Sequence, residues 1–387
     1  MNRLLSLIIT VFIVTNISAQ TKDWREMMAD PNVNYFELCR AYNAYWIGKE
    51  KTKGTGHKQF ERWRTSVESY VKKDGSIGSY NEVWEKAISY HKLQSARSAN
   101  GNFVEIGPFE EHNYSRGVGR LTVIVFHPTD VNTLYVGSPS GGLWISNDNG
   151  KTWATPNDDV MTFGVSAIAI DKENPNTIYI GTGDADTRGT AGTGVYKSTD
   201  AGKTWTRKNI GMNDMVVTKL LMDPDSSNIL IATTRAGVFK TVDSANTWQK
   251  VIANGDFRDL EFKPGKSSVV YASKWTYPGI SSFIYVSKDK GSTWKMLFIP
   301  EGLYPDMRHE LDVTAANPDL LYGLGEKRMV MTENEGDTFT TVNSAGKFLL
   351  DRDEQGWYNA CFKIDLDNEK IMYAGNRQLY KTYDGGL

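Results

Sequence analysis

An eight-residue pattern occurs six times in this chain and constrains its fold more than any other feature. The first copy reads S-N-D-N-G-K-T-W and occupies residues 146–153. Further copies begin at residues 198, 241, 287, 332 and 382, so that neighbouring copies lie 43 to 52 residues apart. That spacing is typical of a four-stranded propeller blade and is too long for one coil of a solenoid.

The segments between the octets repeat as well. In the first unit, apolar runs occupy residues 122–128, 132–137 and 141–146, and equivalent runs precede each later octet. Short apolar runs separated by turn residues predict β-strands. We therefore predict a mainly β fold, a β-propeller of four-stranded blades with six blades visible, in which each octet is the hairpin between the third and fourth strands.

The acidic position of the octet suits a structural role. An aspartate there can accept bonds from backbone N–H groups of its own turn, and the glycine supplies the positive φ that the turn needs. Three departures support this interpretation, since Ala245 replaces the glycine, Asn334 the aspartate and Phe339 the tryptophan. A feature present in every blade cannot mark one active site, so we predict a structural role for Asp148, Asp200, Asp243, Asp289, Asn334 and Asp384.

The sixth unit lacks the tryptophan and the fourth strand, because the sequence ends at Leu387. We expect a C-terminally truncated fragment. The alternative is that residues 102–109, N-F-V-E-I-G-P-F, supply the missing outer strand and close a six-bladed ring.

The N-terminal part predicts export and a helical region. Residues 1–19 combine a basic Arg3, a short apolar run and small residues before a cut, which is typical of a signal peptide. We assign residues 20–100 to a helical region and 101–387 to the propeller. Aromatic and apolar residues at helical spacing predict three amphipathic helices, with stripes at Tyr35, Leu38, Cys39, Tyr42 and Tyr45, at Phe60, Trp63, Val67 and Val71, and at Val83, Trp84, Ala87, Ile88 and His91. We expect these stripes to form a core, and the protein to be secreted or at the cell surface without a transmembrane segment.

Charge and cysteine content exclude some classes of function. The net charge of −2 gives no reason to expect nucleic acid as a partner. We expect Cys39 and Cys361 to be two buried free thiols, with a disulfide between them as the alternative. The five histidines are not spaced as metal pairs, and no cofactor is expected.

The octets match the Asp-box, or BNR, repeat, and the surrounding pattern resembles the sortilin N-terminal type of propeller found in exported bacterial proteins. The stretches G-V-G-R-L-T-V-I-V-F-H-P, G-S-P-S-G-G-L-W-I-S and Q-G-W-Y-N look similar to large propellers described as BNR-repeat or glycosyl-hydrolase-like. The resemblance covers residues 102–387. It implies a propeller fold but not one function, because Asp-box propellers include sialidases, xyloglucanases and non-enzymatic receptors.

Propeller geometry predicts where a ligand binds. The octet hairpins share one face, and the second-to-third loops and blade links share the opposite face, where propellers usually bind. We expect that loop-rich face to include Asp184, Asp186, Arg188, Trp275, Tyr277, Arg308, His309 and Trp357. The Asp184-Ala185-Asp186 stretch could ligate calcium, although a solvated loop is the simpler interpretation. Trp275 and Tyr277 could stack on a sugar or peptide, or could be buried.

Two carboxylates are candidate catalytic groups. Alignment of the inner strands puts Asp259 and Glu310 at the same position in neighbouring blades. Two carboxylates at a channel mouth could act as acid and base in glycoside hydrolysis. Charged residues also line solvated channels without any chemical role.

The sequence leaves three candidate functions, and we favour binding. We expect a sortilin-like propeller that binds a protein, peptide or glycan; the alternative is a glycoside hydrolase of the sialidase or xyloglucanase type, and the third is a purely structural surface protein. No R-I-P motif is present, although Arg120, Arg258 and Arg308 could imitate a sialidase arginine triad. The xyloglucanase resemblance implies an aspartate where Pro139 stands, which disfavours that enzyme.

Overall fold

The structure is a computed structural model that describes most of the chain from residue 23 onward. The described residues are 23–79 without 31, 53 and 54, then 82, 85, 89, 119–156, 164–186, 190–213, 215–276, 283–297, 308–325, 328–342, 360–375 and 379–386. The predicted signal peptide, most of the third predicted helix and the strand at 102–109 lie outside this set. The chain divides into two compact units, Met1–Ala87 and Ile88–Leu387.

The first unit contains short helices packed around aromatic residues. They are α1 (Trp24–Met28), α2 (Tyr35–Trp46), α3 (His57–Val67) and a 3-10 turn at Glu68–Tyr70. The Asn34 side chain caps α2 by accepting bonds from the backbone N–H groups of Phe36 and Glu37. Two predicted helices are thereby confirmed, although Val71 lies beyond the end of α3. The buried core comprises Trp24, Val33, Leu38, Tyr42, Trp46 and Phe60.

The described residues of the second unit form six antiparallel sheets, which confirms the predicted propeller fold. Blade one contains β1 (Val123–Phe126), β2 (Leu134–Ser138) and β3 (Gly142–Ser146), and blade two β4 (Val165–Ile170), β5 (Ile178–Thr182), β6 (Val195–Ser198) and β7 (Thr206–Arg207). Blade three contains β8 (Val217–Asp223), β9 (Ser226–Thr234), β10 (Gly237–Thr241) and β11 (Gln249–Ala253), and blade four β12 (Asp256–Phe262), β13 (Val270–Trp275), β14 (Phe283–Ser287) and β15 (Lys295–Met296). Blade five contains β16 (Glu310–Val313), β17 (Leu321–Leu324), β18 (Met329–Thr332) and β19 (Thr340–Thr341), and blade six β20 (Cys361–Ile364), β21 (Met372–Gly375) and β22 (Leu379–Thr382).

Strands in each blade follow chain order, and the first strand of each blade contacts the first strand of the next. Blades one and six have three strands each among the described residues. In blade one, a bridge between Ile145 and Ala154 stands where other blades have a fourth strand. Apolar residues of neighbouring blades form shared cores, as for Val195 and Leu220 between blades two and three.

Hydroxyl groups on or directly before the innermost strands join one blade to the next. The Thr122 hydroxyl donates to the Val165 carbonyl at 2.7 Å, and the Thr218 hydroxyl donates to the Phe257 carbonyl at 2.5 Å. Ser166 makes the equivalent bond to Val217. Three successive junctions therefore use the same polar contact.

The acidic octet residues form hydrogen bonds within their own turns. The Asp200 carboxylate accepts bonds from the Thr204 backbone N–H at 2.8 Å, from the Thr204 hydroxyl at 2.6 Å and from the Ser198 hydroxyl at 2.8 Å. The turns at Asp148, Asp243 and Asp289 repeat this arrangement within about 0.1 Å. Asn334 reproduces it with an amide, whose nitrogen donates to the Thr338 hydroxyl. At the last octet, the Asp384 carboxylate accepts from the Thr382 hydroxyl.

Both cysteines are free thiols, and the expected burial is wrong for Cys361. Cys39 is half-buried in α2, whereas Cys361 is exposed on β20. Among the described residues, no helix has both the length and the apolar character needed to cross a bilayer.

Candidate functional site

A cluster of arginines and aspartates gathers residues from four blades on the face opposite the octet turns. Asp184 and Asp186 follow β5, and their carboxylates lie between Arg120, which precedes β1, and Arg308, which precedes β16. Arg120 contacts the Asp184 carboxylate at 2.6 Å and that of Asp186 at 3.6 Å. Arg308 contacts the Asp186 carboxylate at 2.8 Å. The loop of blade two is thus joined to blades one and five.

Arg235, between β9 and β10, completes the cluster. Its guanidinium donates to the backbone carbonyl of Asp184 at 2.8 Å. We call Arg120, Asp184, Asp186, Arg235 and Arg308 the arginine–aspartate cluster. Arg235 is not among the sequence-predicted site residues, because nothing in its local sequence marks it as the partner of a loop from another blade.

The Asp184 and Asp186 carboxylates face guanidinium groups rather than the open arrangement expected of a calcium site. Within the part of the chain that the structure describes, no group of three or more His, Cys, Asp or Glu side chains is arranged to hold a metal ion. Hard cations need several oxygen ligands at short range. The Asp184 and Asp186 carboxylates are therefore paired with arginine side chains.

Glu310 lies beside the cluster, on the innermost strand of blade five. The Arg308 guanidinium contacts both the Glu310 and the Asp186 carboxylates. Burial raises the pKa of Glu310 to about 7, and the neighbouring positive charge of Arg308 only partly opposes this. A carboxyl group with such a pKa is protonated for part of the time at neutral pH, as a general acid requires.

Asp259 is held by contacts to both of its carboxylate oxygens. One oxygen contacts the Lys219 ammonium at 2.7 Å, and the other accepts the Leu311 backbone N–H of the next blade at 2.6 Å. Its side chain is only 3% exposed. Burial opposes the charge of Lys219, but Asp259 and Glu261 hold the pKa of the Lys219 ammonium well above its ordinary value.

Asp312 repeats this arrangement one junction later. One of its oxygens accepts the Ile364 backbone N–H at 2.6 Å, and the other contacts the Lys363 ammonium. An aspartate that accepts a backbone N–H from the innermost strand of the following blade therefore occurs twice. The repetition favours a structural role for Asp259, as it does for the octet aspartates.

The sheet registers place Asp259, Glu310 and Lys219 at equivalent positions. The first octet residues Thr241, Ser287 and Thr332 face the middle strands at Leu230, Val270 and Leu321. The residue three positions after each of these on the middle strand pairs with the innermost strand. Its partners there are Lys219, Asp259 and Glu310. The inner-strand alignment thus also contained Lys219, which sequence reasoning overlooked because it searched for carboxylates.

Arg258, Trp275 and His309 are buried on the same face. The Arg258 guanidinium contacts the Asp256 carboxylate at 2.7 Å and lies 4.3 Å from the centre of the Trp275 ring. Trp275 is 9% exposed, so its ring packs against arginine instead of forming an open platform. Burial lowers the pKa of His309 to about 4, which keeps the imidazole neutral at neutral pH. Arg188, Tyr277 and Trp357 lie outside the described residues.

Comparisons of the sequence and the structure with known proteins agree with the propeller architecture. Residues 141–238 and 193–299 match the family described as sortilin, neurotensin receptor 3. A GH74 enzyme of Niastella koreensis superposes with a TM-score of 0.51 at 21% identity, over 70% of this chain and 44% of that one. The extracellular domain of a putative hybrid two-component system from B. thetaiotaomicron superposes with a TM-score of 0.51 at 12% identity, over 72% of this chain and 34% of that one. At these identities the structural matches support the fold alone.

The sheets and the octet turns together define a β-propeller with Asp-box turns, and part of it matches the sortilin family. Among curated proteins, the chain is similar to a xyloglucanase of Acetivibrio thermocellus, at 28% identity over 226 residues, which is 49% of this chain and 27% of that protein. It is similar to a xyloglucanase of Paenibacillus sp at 25% identity over 351 residues, 79% of this chain and 31% of that protein. The chain therefore spans less than a third of the length of these relatives.

Proposed function

We propose that this chain is a carbohydrate-active propeller of the glycoside-hydrolase type, which receives a polysaccharide on the face that carries the arginine–aspartate cluster. The observation behind the proposal is the similarity to xyloglucanases. It favours a carbohydrate over the protein or peptide ligand of the sortilin-like expectation, and it supports the hydrolase alternative better than a receptor. The predicted signal peptide adds that the protein acts outside the cytoplasm.

The cluster offers suitable groups for a polysaccharide. Arginine donates several hydrogen bonds in a fixed plane, and carboxylates accept hydrogen bonds from sugar hydroxyls. Arg120 is more accessible than Arg308, since its side chain is 36% exposed whereas that of Arg308 is 12% exposed. We therefore propose Arg120 as the first contact for a ligand.

For hydrolysis, Glu310 is a better candidate for the general acid than Asp259. Glu310 has the raised pKa that proton donation at neutral pH needs. Asp259 has both oxygens engaged in contacts that Asp312 duplicates. An inverting or retaining hydrolase also needs a second carboxylate, for which this face offers Asp186 as a candidate.

The test exposes the full chain to xyloglucan, to an unsubstituted soluble β-glucan and to a mannan. We expect retarded migration in xyloglucan-containing native gels, with new reducing ends if the chain hydrolyses the polymer. Retardation without new reducing ends would remove the hydrolase assignment and leave binding. Equal migration in all three polysaccharides and in plain gels would contradict the proposal as a whole.

Three matched variants separate the roles of the inner-strand carboxylates. We expect Glu310→Gln to lower kcat by roughly 10²- to 10⁴-fold, the usual contribution of a general acid. Asp312→Asn should lower the free energy of unfolding and leave kcat unchanged. Asp259→Asn should lower the free energy of unfolding to a similar extent and move the pH profile of kcat to lower pH without reducing its maximum, because the Asp259 charge helps to raise the pKa of Glu310. Loss of kcat in Asp259→Asn alone would assign Asp259 to catalysis. A pH profile adds a check, because wild-type activity should decline as the pH rises through about 7, where Glu310 loses its proton.

A further inference from the structure

Lys219, Asp259 and Glu310 occupy equivalent positions on the innermost strands of blades three, four and five. A positive charge, a negative charge and the Glu310 carboxyl therefore follow one another from blade to blade. In blade two the equivalent position, paired with Gly181, holds Ala167. The series of charges thus belongs to these three blades and is not a general property of the repeat.

The Lys219 ammonium connects two carboxylates of the next blade. It lies 2.7 Å from an Asp259 oxygen and 3.2 Å from a Glu261 oxygen. Asp259 and Glu261 are two residues apart on β12, so their side chains lie on the same side of the strand. The Lys219 side chain is 35% exposed, whereas that of Asp259 is 3% exposed. The ammonium therefore supplies the positive charge that a buried carboxylate needs.

Asp259 carries this contact on to blade five. One of its oxygens accepts the backbone N–H of Leu311, the residue after Glu310, at 2.6 Å. The oxygen that contacts Lys219 also accepts the Leu260 backbone N–H at 2.9 Å. Because two backbone N–H groups favour the charged form of Asp259, we expect it to stay ionised without Lys219. Removal of the Lys219 charge would then leave a negative charge beside the strand that carries Glu310.

Lys219 and Asp259 act on Glu310 in opposite directions. Burial raises the pKa of Glu310, Arg308 lowers it, Asp259 raises it and Lys219 lowers it. Among the described residues, the other titratable groups beside this site are Asp186, which shares Arg308, the neutral His309, and the Cys361 thiol, whose pKa rises through burial and the charge of Glu310.

We propose that Lys219 is a positioning residue for the Glu310 carboxyl: paired with Asp259 across the blade junction, it balances the negative charge that Asp259 would otherwise present to Glu310. Lys219 acts through Asp259 and needs no contact with the substrate. The pair thereby sets the pH range over which Glu310 keeps its proton. This role rests on the proposed function, in which Glu310 is the general acid.

Two single variants and their combination test the balance through the pH profile of kcat on xyloglucan. Lys219→Met should move the decline of kcat to higher pH by about 0.5 to 1 unit, because the Asp259 charge then acts on Glu310 unopposed. Asp259→Asn should move the decline to lower pH. The double variant Lys219→Met with Asp259→Asn should return the decline close to its wild-type position.

Two further substitutions of Lys219 separate its charge from its shape. Lys219→Arg keeps the charge and should keep the wild-type profile. Lys219→Gln removes the charge but retains a hydrogen-bond donor for Asp259, so it should give the same shift as Lys219→Met and serves if that variant does not fold.

Lys263→Met is the matched control. The Lys263 side chain is 9% exposed, and its ammonium contacts the Asp319 and Glu335 carboxylates at 2.7 Å and 3.0 Å. The variant should lower the free energy of unfolding and leave the pH profile unchanged, as expected of a purely structural lysine. A wild-type profile in folded Lys219→Met, or an equal shift in Lys263→Met, would overturn the proposal. So would a Lys219→Met shift that persists in the double variant.

Carbon-13 NMR gives a second measurement that does not depend on hydrolysis. In chains labelled at the glutamate side-chain carboxyl, the Glu310 resonance is the one missing from Glu310→Gln. Its titration midpoint should rise in Lys219→Met and return in the double variant. Absence of new reducing ends from xyloglucan would contradict the hydrolase assignment alone, whereas an unchanged Glu310 midpoint in Lys219→Met would overturn the role of Lys219.

Discussion

At the scale of single residues, the octet aspartates make the stability of the propeller depend on acid. Threonine hydroxyls and backbone N–H groups hold the pKa of Asp148, Asp200 and Asp243 at about 2. A carboxyl group whose pKa is lower in the folded than in the unfolded chain stabilises the fold above its unfolded pKa, near 3.8, and this stabilisation disappears as the pH falls through the folded value.

We therefore expect Tm to fall steeply between about pH 4 and pH 2. Asp200→Asn should weaken that dependence, because an amide makes the same turn at Asn334 without titrating. Thermal unfolding at a series of pH values measures both curves. Parallel curves for wild type and Asp200→Asn would show that Asp200 does not contribute to the acid sensitivity.

Position five of the fourth octet favours glycine for two separate reasons, although Ala245 takes the equivalent place in the third octet with a φ of 66°. Gly291 has φ +79°, and a Cβ there would lie 2.4 Å from the Ile231 Cδ1 atom. Gly265 has a similar φ of +72°, but a Cβ there would meet no atom of a described residue within 4 Å beyond its own chain neighbours. Substitutions at Gly265 and Gly291 therefore distinguish the cost of a positive φ from the cost of crowding by a neighbouring side chain.

We expect Gly265→Ala to cost about 1 kcal/mol from the positive φ alone. Gly291→Ala should cost about 1–3 kcal/mol more, because the added methyl group crowds a packed core. Urea denaturation of the two variants gives both values. Equal losses would mean that the Ile231 contact imposes no constraint.

At the scale of strands and junctions, polar contacts between innermost strands fix the arrangement of neighbouring blades. Thr218 is 5% exposed, and its hydroxyl donates to Phe257 of the next blade. Thr218→Val keeps the shape and leaves that buried carbonyl without this donor. We expect a loss of about 1–3 kcal/mol in the free energy of unfolding. Thr206→Val, on an exposed position of β7, is the matched control and should change little.

Strand order, octet hairpins and the equivalence of Asp259 with Glu310 could be predicted because each rests on a repeated local pattern. The partners of those carboxylates could not be predicted. Lys219 reaches Asp259 across a blade junction, and Arg235 reaches the Asp184 carbonyl across another. Such contacts depend on the register between blades, which no local sequence pattern encodes.

At the scale of the whole molecule, the six copies of one module share some contacts and differ in others. The octet turns repeat the same hydrogen bonds from blade to blade, whereas the arginine–aspartate cluster combines five residues from four blades, two of them from blade two. The shared contacts therefore account for the shape of the blades, and the proposed recognition of a ligand depends on residues that differ between them.

The most direct test of that division compares xyloglucan affinity in two variants that each lose one exposed positive charge. Arg120→Gln removes the accessible arginine of the cluster, and Lys151→Gln removes a lysine of the first octet turn. Affinity electrophoresis of the folded variants should show weaker binding for Arg120→Gln and wild-type binding for Lys151→Gln. Weaker binding for Lys151→Gln with Arg120→Gln unchanged would place recognition on the octet face and contradict the account.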